Sequence, residues 1–337
     1  MIHDTVITNS QVVSGAGVMR CDIGIKNGLI ATLGENLDGT EIINATGLLA
    51  LPGGIDSHVH IAQPSGPNVK MADDFTSGTR SAACGGNTTI LPFCLPEEGQ
   101  TLREAVKAYR QKADGNCMTD VSFHLIVKET DAVTIGQDLP ALIKAGYTSF
   151  KVFMTYAGLA LSDREILDVM AAAREHNGLV MVHAENEDAI EFLRDKAERA
   201  GRTDPYHHAI TRPVPVEREA THRAISLAEI ADVPIMIVHV SNGESTEEIL
   251  RARKRGLKVF AETCPQYITL TAKDLDQNGF DGAKFVCSPP PGTTQEWPKI
   301  GPESNKAFSI FFLQIIVHFD STTQQVKTLL EQGKVSE

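Results

Sequence analysis

The sequence lacks the features that mark membrane and secreted proteins. No apolar run reaches the roughly 20 residues that a bilayer-spanning helix needs. The first residues carry neither the basic region nor the apolar core of a signal peptide, so we expect a cytoplasmic protein. None of the six cysteines forms a Cys-x-x-Cys pair. We therefore expect reduced, mostly buried thiols rather than a disulfide framework.

Positive charge is also scarce, because 31 Lys and Arg residues face 43 Asp and Glu residues for a formal net charge of −12. A surface this acidic repels phosphate backbones and anionic lipid, so we expect neither nucleic acid nor bare membrane as a partner. The charged fraction of 22% and the hydrophobic fraction of 42% are ordinary for a globular protein. A chain of 337 residues is long enough for one large domain, or for a large and a small one.

The pattern of apolar residues divides the chain into three parts. Residues 1–51 carry short alternating segments that predict a small β unit, with one hairpin at residues 22–30 around Asn27-Gly28 and a second at residues 41–50. Residues 52–291 alternate apolar strands with helical stretches, which is typical of a buried parallel sheet. The seven strands in this part predict an α/β fold, an eight-stranded (β/α)8 TIM-like barrel of about 250 residues. Residues 292–337 do not continue this alternation of apolar strands and helical stretches, and no eighth strand is evident in their sequence.

Four histidines lie at the carboxyl ends of predicted strands. His58 and His60 are two residues apart, and alternate residues of a strand point the same way. His183 and His239 each close an apolar run. A pair of loop histidines could explain the first two alone. Four at one rim of a barrel indicate metal ligands, because active sites of this fold lie at that rim.

Lys151 lies inside the apolar run Phe150 to Phe153, where an unpaired charge is costly. One interpretation is a lysine whose amine reaches solvent at the barrel mouth. The other is a neutral amine that captures carbon dioxide and becomes a carbamate able to bridge two cations. Tyr156 is either a packed loop aromatic or a donor to a developing oxyanion. Ser288 either binds a substrate amide or forms a turn before proline.

Five motifs, in this order along the chain, carry a resemblance to the dihydropyrimidinase/hydantoinase branch of the amidohydrolase superfamily. The likeness runs from about residue 6 to residue 291. The motifs are residues 54–60, 150–156, 182–185, 238–241 and 262–267.

The resemblance implies a binuclear zinc site in which carboxylated Lys151 bridges two Zn²⁺ ions. His58 and His60 would hold the more buried ion, and His183 and His239 the second. A hydroxide bridging the ions would be the nucleophile, since zinc lowers the pKa of bound water toward about 7.

The resemblance also implies the substrate and the assembly. The expected reaction opens hydantoins or 5,6-dihydropyrimidines to N-carbamoyl amino acids. Tyr156 would stabilise the oxyanion, Ser288 would bind the ring amide, and Phe153, Leu159 and the loop at residues 63–74 would shape the pocket. The N-terminal β unit would form part of a small β-sandwich, and the family predicts a homotetramer. Dihydroorotase-like members carry an arginine just after the paired histidines, whereas Ile61-Ala62-Gln63 follows here, which argues against a carboxylated ring.

The sequence departs from the family near its end. The family's last metal residue is an aspartate on the eighth strand, and residues 311–316 read Phe-Phe-Leu-Gln-Ile-Ile instead. Residues 312–322 can be back-translated so that a shifted frame contains an Asp-His-Cys-Pro segment, which suggests a frameshift or a retained intron after Pro291. Codon degeneracy is the alternative explanation. Without that segment we expect poor folding and little turnover.

Two other functions stay open at this point. The chain could be a catalytically impaired family member or a non-enzymatic assembly subunit, which the missing aspartate favours. However, non-catalytic scaffolds of the superfamily have lost metal histidines, and this chain keeps all four. A mononuclear barrel deaminase is disfavoured because Lys151 lies in the family's carbamate motif.

Overall fold

A computed structural model describes residues 2–65 and 70–292 of the chain. The predicted aberrant segment after residue 292, with the expected position of the aspartate, lies outside the described residues. So do residues 66–69 of the loop predicted to shape the pocket. The chain divides into two compact units, one covering residues 1–54 and the other starting at Ile55.

The N-terminal unit is a mixed five-stranded sheet. Strand β2 runs antiparallel to both β1 and β3, and Asn27 and Gly28 link β2 to β3 with φ values of 52° and 74°. Asparagine and glycine tolerate this left-handed region, which matches the twist of a two-residue hairpin. The hairpin predicted at residues 22–30 is therefore confirmed. The five strands are β1 (His3–Ser14), β2 (Gly17–Lys26), β3 (Leu29–Gly34), β4 (Gly39–Asn44) and β5 (Leu49–Ala50).

The second predicted hairpin, at residues 41–50, is wrong. Strands β4 and β5 do not pair with each other, and each lies parallel to β1 at a different point along it. The segment between β4 and β5 remains hydrogen-bonded to β1, because the Ala45 N–H donates to the carbonyl of Thr8 at 2.9 Å. The chain thus continues along the edge of β1 instead of turning back, a choice that local turn residues do not reveal.

The second unit contains an incomplete barrel of neighbouring strands. The order in the sheet is β13-β12-β11-β10-β9-β7-β6, which follows the chain, and the short β8 also pairs with β7. From β7 to β13, neighbouring strands pair in parallel. This confirms the predicted α/β class and seven of the predicted barrel strands. The strands are β6 (Gly54–Val59), β7 (Asn87–Cys94), β8 (Asp120–Val121), β9 (His124–Ile126), β10 (Ser149–Phe153), β11 (Leu179–His183), β12 (Ile235–Ile237) and β13 (Val259–Ala261).

Helices connect these strands, and their starts carry the expected capping residues. Thr101 with Glu104 and Ser162 with Glu165 form reciprocal capping boxes that satisfy otherwise unpaired N–H groups. Within the described residues, no helix combines the length and apolar character needed to cross a bilayer. The helices are α1 (Phe75–Cys84), α2 (Leu102–Ala113), α3 (Leu139–Lys144), α4 (Asp163–His176), α5 (Glu187–Arg199), α6 (Pro205–Ile210), α7 (Val214–Ala231), α8 (Gly243–Lys254) and α9 (Gln266–Thr269).

Strands β7 and β9 to β13 place their two faces in different apolar clusters. On β10, Phe150 and Val152 belong to the larger cluster, which also contains residues of the surrounding helices. Phe153, on the opposite face with Lys151, belongs to a smaller cluster inside the barrel. The two-residue period of a strand therefore sorts the helix-facing residues from the residues that can reach the site.

The carboxylate of Glu217 on α7 is buried under the loop that leads into α8. It is 5% exposed and accepts hydrogen bonds from the backbone N–H of Ser241, at 3.1 Å, and from the hydroxyl of the same serine. Burial raises the pKa of Glu217 to about 7. The folded state therefore binds a proton at this carboxyl more tightly than the unfolded chain does.

Glu217→Gln should remove a pH-dependent loss of stability. Below pH 4.5, the ordinary pKa of a glutamate, Glu217 is protonated in both the folded and the unfolded chain. Between pH 4.5 and about 7 it ionises in the unfolded chain but stays protonated in the folded one, so the free energy of unfolding of the native chain falls as pH rises. The stability of the variant relative to the native chain should rise across this window, by on the order of 3 kcal/mol at most. Urea unfolding at a series of pH values measures this, with the exposed Glu219→Gln on the same helix as control. A pH-independent difference would contradict the assignment.

Two matched phenylalanine substitutions test the core. Phe150 is fully buried, so Phe150→Ala should lower the free energy of unfolding by about 3 to 5 kcal/mol, through lost burial and the cavity left behind. Phe192 on α5 is 70% exposed, and Phe192→Ala should change the free energy of unfolding by less than about 0.5 kcal/mol. Urea unfolding followed by circular dichroism gives both values, and equal effects would contradict the packing described.

Candidate active site

The residues predicted to bind metal lie at or near the carboxyl ends of four barrel strands. Because parallel strands end at the same rim, these side chains face a common space. Two of these residues lie on β6 or directly after it, one lies on β10, one is the last residue of β11, and one follows β12. They are His58, His60, Lys151, His183 and His239.

The structure brings the four imidazoles together in one row. The ring centroids of His60 and His58 are 5.3 Å apart, those of His58 and His239 are 5.2 Å apart, and those of His239 and His183 are 4.5 Å apart. His58, His183 and His239 are buried, and His60 is exposed at the mouth.

His239 reaches this row because its backbone departs from the strand. On β12, Ile235 and Ile237 face the helices while Met236 and Val238 face the barrel interior. Strict alternation would therefore direct His239 toward the helices. Its φ of 40° lies in the left-handed region, which is uncommon for residues other than glycine. The turn at this residue redirects the side chain into the site, and such strain is concentrated at functional positions.

Lys151 is 1% exposed, so its amine does not reach solvent as the first interpretation proposed. Its Nζ lies 5.0 Å from the ring centroid of Phe93 and 5.2 Å from that of Phe153. Burial lowers the pKa of Lys151 to about 7, against the opposing effect of the Glu262 carboxylate. A substantial fraction of this amine is therefore neutral at neutral pH.

The buried histidines are neutral for the same reason. Burial lowers the pKa of His58, His183 and His239, and the neighbouring Lys151 lowers each one further. A neutral imidazole keeps one nitrogen lone pair, which is the form that ligates metals. The Nδ1 atom of His239 is buried and has no hydrogen-bond partner among the described residues.

Two buried glutamates orient the imidazoles from behind. The Nε2–H of His183 donates to Glu185 at 2.7 Å, and Nδ1 of His58 contacts the carboxylate of Glu262. Burial raises the pKa of Glu262 to about 8. Carboxylates in this position fix the tautomer and ring orientation of metal-binding histidines. Both glutamates lie within the family motifs and follow strand ends as the histidines do, but the sequence pattern alone assigned them no role.

The amide of Gln63 holds His60 in a similar way. The Nδ1–H of His60 donates to Oε1 of Gln63 at 2.9 Å, and Nε2 of Gln63 donates to the carbonyl of Phe93 at 2.7 Å. Because the carbonyl of Phe93 can only accept a hydrogen bond, the Gln63 atom that contacts it is the amide nitrogen. The amide oxygen of Gln63 therefore faces His60, which carries its proton on Nδ1. Its Nε2 lone pair is left for a cation.

The donor set suits zinc by its chemistry, which combines neutral imidazoles with a buried amine that can be carboxylated. Among residues 2–65 and 70–292, however, no three His, Cys, Asp or Glu side chains surround one point as closely as a bound ion requires. The unpartnered Nδ1 of His239 is the specific observation that fits an absent cation.

Tyr156 and Ser288 lie on the other side of the same space. The ring of Tyr156 is 5.0 Å from that of His183, and the nearby side chain of Ser288 opposes the effect of burial on the pKa of Tyr156. Burial raises the pKa of Tyr156, so its hydroxyl stays protonated and able to donate. Its φ of 82° is also left-handed. Phe153 and Leu159 pack in the small interior cluster beside it.

Comparison with known proteins gives a consistent result. The profile described as "Amidohydrolase family" matches residues 49–265, and that of the "Urease alpha-subunit, N-terminal domain" matches residues 1–46. The chain is 46% identical over 290 residues to the D-hydantoinase of Geobacillus stearothermophilus, covering 85% of this chain and 61% of that protein. It is 37% identical over 300 residues to the D-phenylhydantoinase of Escherichia coli, covering 88% and 64%. The chain thus spans less than two thirds of the length of these relatives.

Solved structures agree with the sequence relatives. A D-hydantoinase crystal structure superposes with a TM-score of 0.87 at 39% identity, covering 92% of this chain and 68% of that one. The dihydropyrimidinase from Brevibacillus agri gives a TM-score of 0.84 at 38% identity, covering 88% and 65%. The chain therefore belongs to the amidohydrolase family and, within it, to the D-hydantoinase/dihydropyrimidinase family.

Proposed function

We propose that this site is that of a zinc-dependent cyclic amidase, which opens hydantoins or 5,6-dihydropyrimidines by hydrolysis to N-carbamoyl amino acids. The observation that carries the proposal is the row of four imidazoles beside a buried lysine at one rim of a parallel sheet. The substrate class is supported by relatives named D-hydantoinase and dihydropyrimidinase.

In this proposal two Zn²⁺ ions share the five side chains. His58 and His60 would hold one ion, His183 and His239 would hold the other, and Lys151, once carboxylated, would supply an anionic ligand to both. Bound zinc would supply an activated water and would polarise the substrate carbonyl. Lys151 supports this role because only a neutral amine reacts with carbon dioxide, and burial brings its pKa to about 7.

The remaining side chains act on the substrate directly. Tyr156 is the catalytic donor, and its protonated hydroxyl stabilises negative charge that develops on the carbonyl oxygen. Ser288, whose side chain lies close to that of Tyr156, binds the amide edge of the ring. Phe153 and Leu159 form an apolar wall that excludes water and receives the ring substituent.

The contacts of Gln63 support an uncharged ring. Both ends of its amide are used within the chain, by His60 and by the carbonyl of Phe93. No cation therefore occupies the position after the paired histidines, where a carboxylated ring would need one. Hydantoin and dihydropyrimidine rings lack that carboxylate, whereas dihydroorotate carries it.

A second candidate is a member of the family that binds zinc and substrate with little turnover, or that serves as an assembly subunit. The sequence observation that favours it is the missing aspartate motif, since residues 311–316 are apolar apart from one glutamine. Without an acceptor for the nucleophile's proton, ring opening would slow while the other contacts persisted. The cytoplasmic location and the homotetramer stay predictions.

Lys151→Ala tests the function. The variant should bind fewer than two zinc ions per chain and should lose turnover of 5-phenylhydantoin and dihydrouracil by about 100-fold or more, because the anion between the ions is gone. Lys144→Ala, at an exposed lysine on α3, should leave both quantities unchanged. Zinc content after metal loading and the loss of ring absorbance are the measurements.

Each outcome of that experiment decides between the candidates. Loss of zinc and turnover in Lys151→Ala alone supports the amidase. A native chain that binds two zinc ions without opening either ring supports the impaired family member. Unchanged zinc content in Lys151→Ala would contradict the carbamate.

A further inference from the structure

A chain of polar contacts runs from the proposed metal side of the site to the proposed substrate side. It starts at Glu185, which accepts from the Nε2–H of His183 through Oε2. The other carboxylate oxygen, Oε1, lies 3.5 Å from Nε of Arg212. Glu185 is 1% exposed and the Arg212 side chain 13%, so the two charges face each other largely away from water.

Arg212 determines which nitrogen of His208 carries the proton. Its Nη1 is 3.1 Å from Nδ1 of His208. A guanidinium only donates hydrogen bonds, so Nδ1 must be the acceptor and the proton must lie on Nε2. Burial and the charge of Arg212 both lower the pKa of His208, which keeps the ring neutral with this single proton.

The proton on Nε2 of His208 points at the loop that carries Ser288. Nε2 is 2.9 Å from the carbonyl oxygen of Cys287 and 3.0 Å from Oγ of Ser288. Because the carbonyl can only accept, it confirms the tautomer that Arg212 requires. Ser288 Oγ also accepts from His208, so its own hydroxyl proton is left for the opposite side, where Tyr156 lies.

We propose that Arg212 and His208 are positioning residues for substrate binding: Arg212 fixes the tautomer of His208, and His208 holds Ser288 in line with Tyr156. This inference rests on the proposed function, since it assigns Ser288 to the substrate. The sequence analysis gave neither residue a role. Without the hydrogen bond from Nε2 of His208, the Ser288 hydroxyl could rotate. Substrate binding would then weaken while the metal-binding residues stayed in place.

The tautomer is tested first, by nitrogen-15 NMR of the histidine rings. In the native chain His208 should be neutral with its proton on Nε2. Arg212→Met should raise the population of the Nδ1–H tautomer, because Nδ1 loses its donor. Arg194 lines a surface cavity together with His208 and Arg212 but pairs with Glu191 and Glu198 of its own helix, so Arg194→Met should leave His208 unchanged. A native His208 with its proton on Nδ1, or with two protons, would overturn the proposal.

Kinetics then separate positioning from a general structural role. His208→Phe keeps a ring without a donor, and its KM for 5-phenylhydantoin should rise about tenfold while kcat and zinc content stay within about twofold. His208→Gln keeps an amide donor near the position of Nε2 and should recover most of the affinity. Equal losses in the two variants, or loss of zinc, would contradict positioning.

A failure of the proposed function can be distinguished from a failure of this inference. The NMR measurement needs no turnover, so it decides the tautomer even if the native chain opens no ring. In that case calorimetric binding of 5-phenylhydantoin to the zinc-loaded native chain and to both His208 variants replaces KM. Weaker binding by the phenylalanine variant alone supports the inference, and equal binding by all three overturns it.

Discussion

The site depends on one physical constraint, the removal of nitrogen bases from water at the rim of a parallel sheet. His58, His183 and His239 are buried beside the amine of Lys151, and both burial and the charge of Lys151 lower the pKa of each imidazole. A cluster of positive charges at this density would be unstable, so the bases stay neutral and keep lone pairs directed into the site. Glu185 accepts the ring proton of His183 from behind, and the carboxyl group of Glu262 contacts Nδ1 of His58.

The proposed metal-binding residues and the proposed substrate-binding residues lie on different sides of the same rim. One side carries the imidazoles and the lysine, and the other carries Tyr156 and the Ser288 loop. The polar contacts of Glu185, Arg212 and His208 connect the two sides. Left-handed backbone at Tyr156 and His239 indicates that the surrounding packing holds both residues in conformations they would not choose alone.

Much of this arrangement could be predicted from the sequence, because it follows from local periods. Strands β10 and β11 and helices α2 and α5 follow the alternation of apolar strands and helical stretches predicted for residues 52–291. The convergence of the histidines follows from parallel strands ending at one rim. Periodicity could not reveal the turn at His239, because strict alternation directs that side chain outward.

Contacts between residues far apart in the chain could not be predicted from the sequence either. The hairpin predicted at residues 41–50 failed because β1 offers a parallel edge that turn residues do not encode. The roles of Arg212 and His208 depend on a loop about 80 residues away, as the contact of His208 with Ser288 shows. No spacing rule connects positions so distant in the chain.

The central claim is that four imidazoles and a lysine carbamate hold two cations at this rim. Anomalous X-ray diffraction at the zinc edge from crystals of the zinc-loaded protein tests it most directly. The account predicts two peaks, one against His58 and His60 and one against His183 and His239, with carbamate density on Lys151 between them. A single peak elsewhere, or an unmodified Lys151 with no peak at the rim, would contradict it.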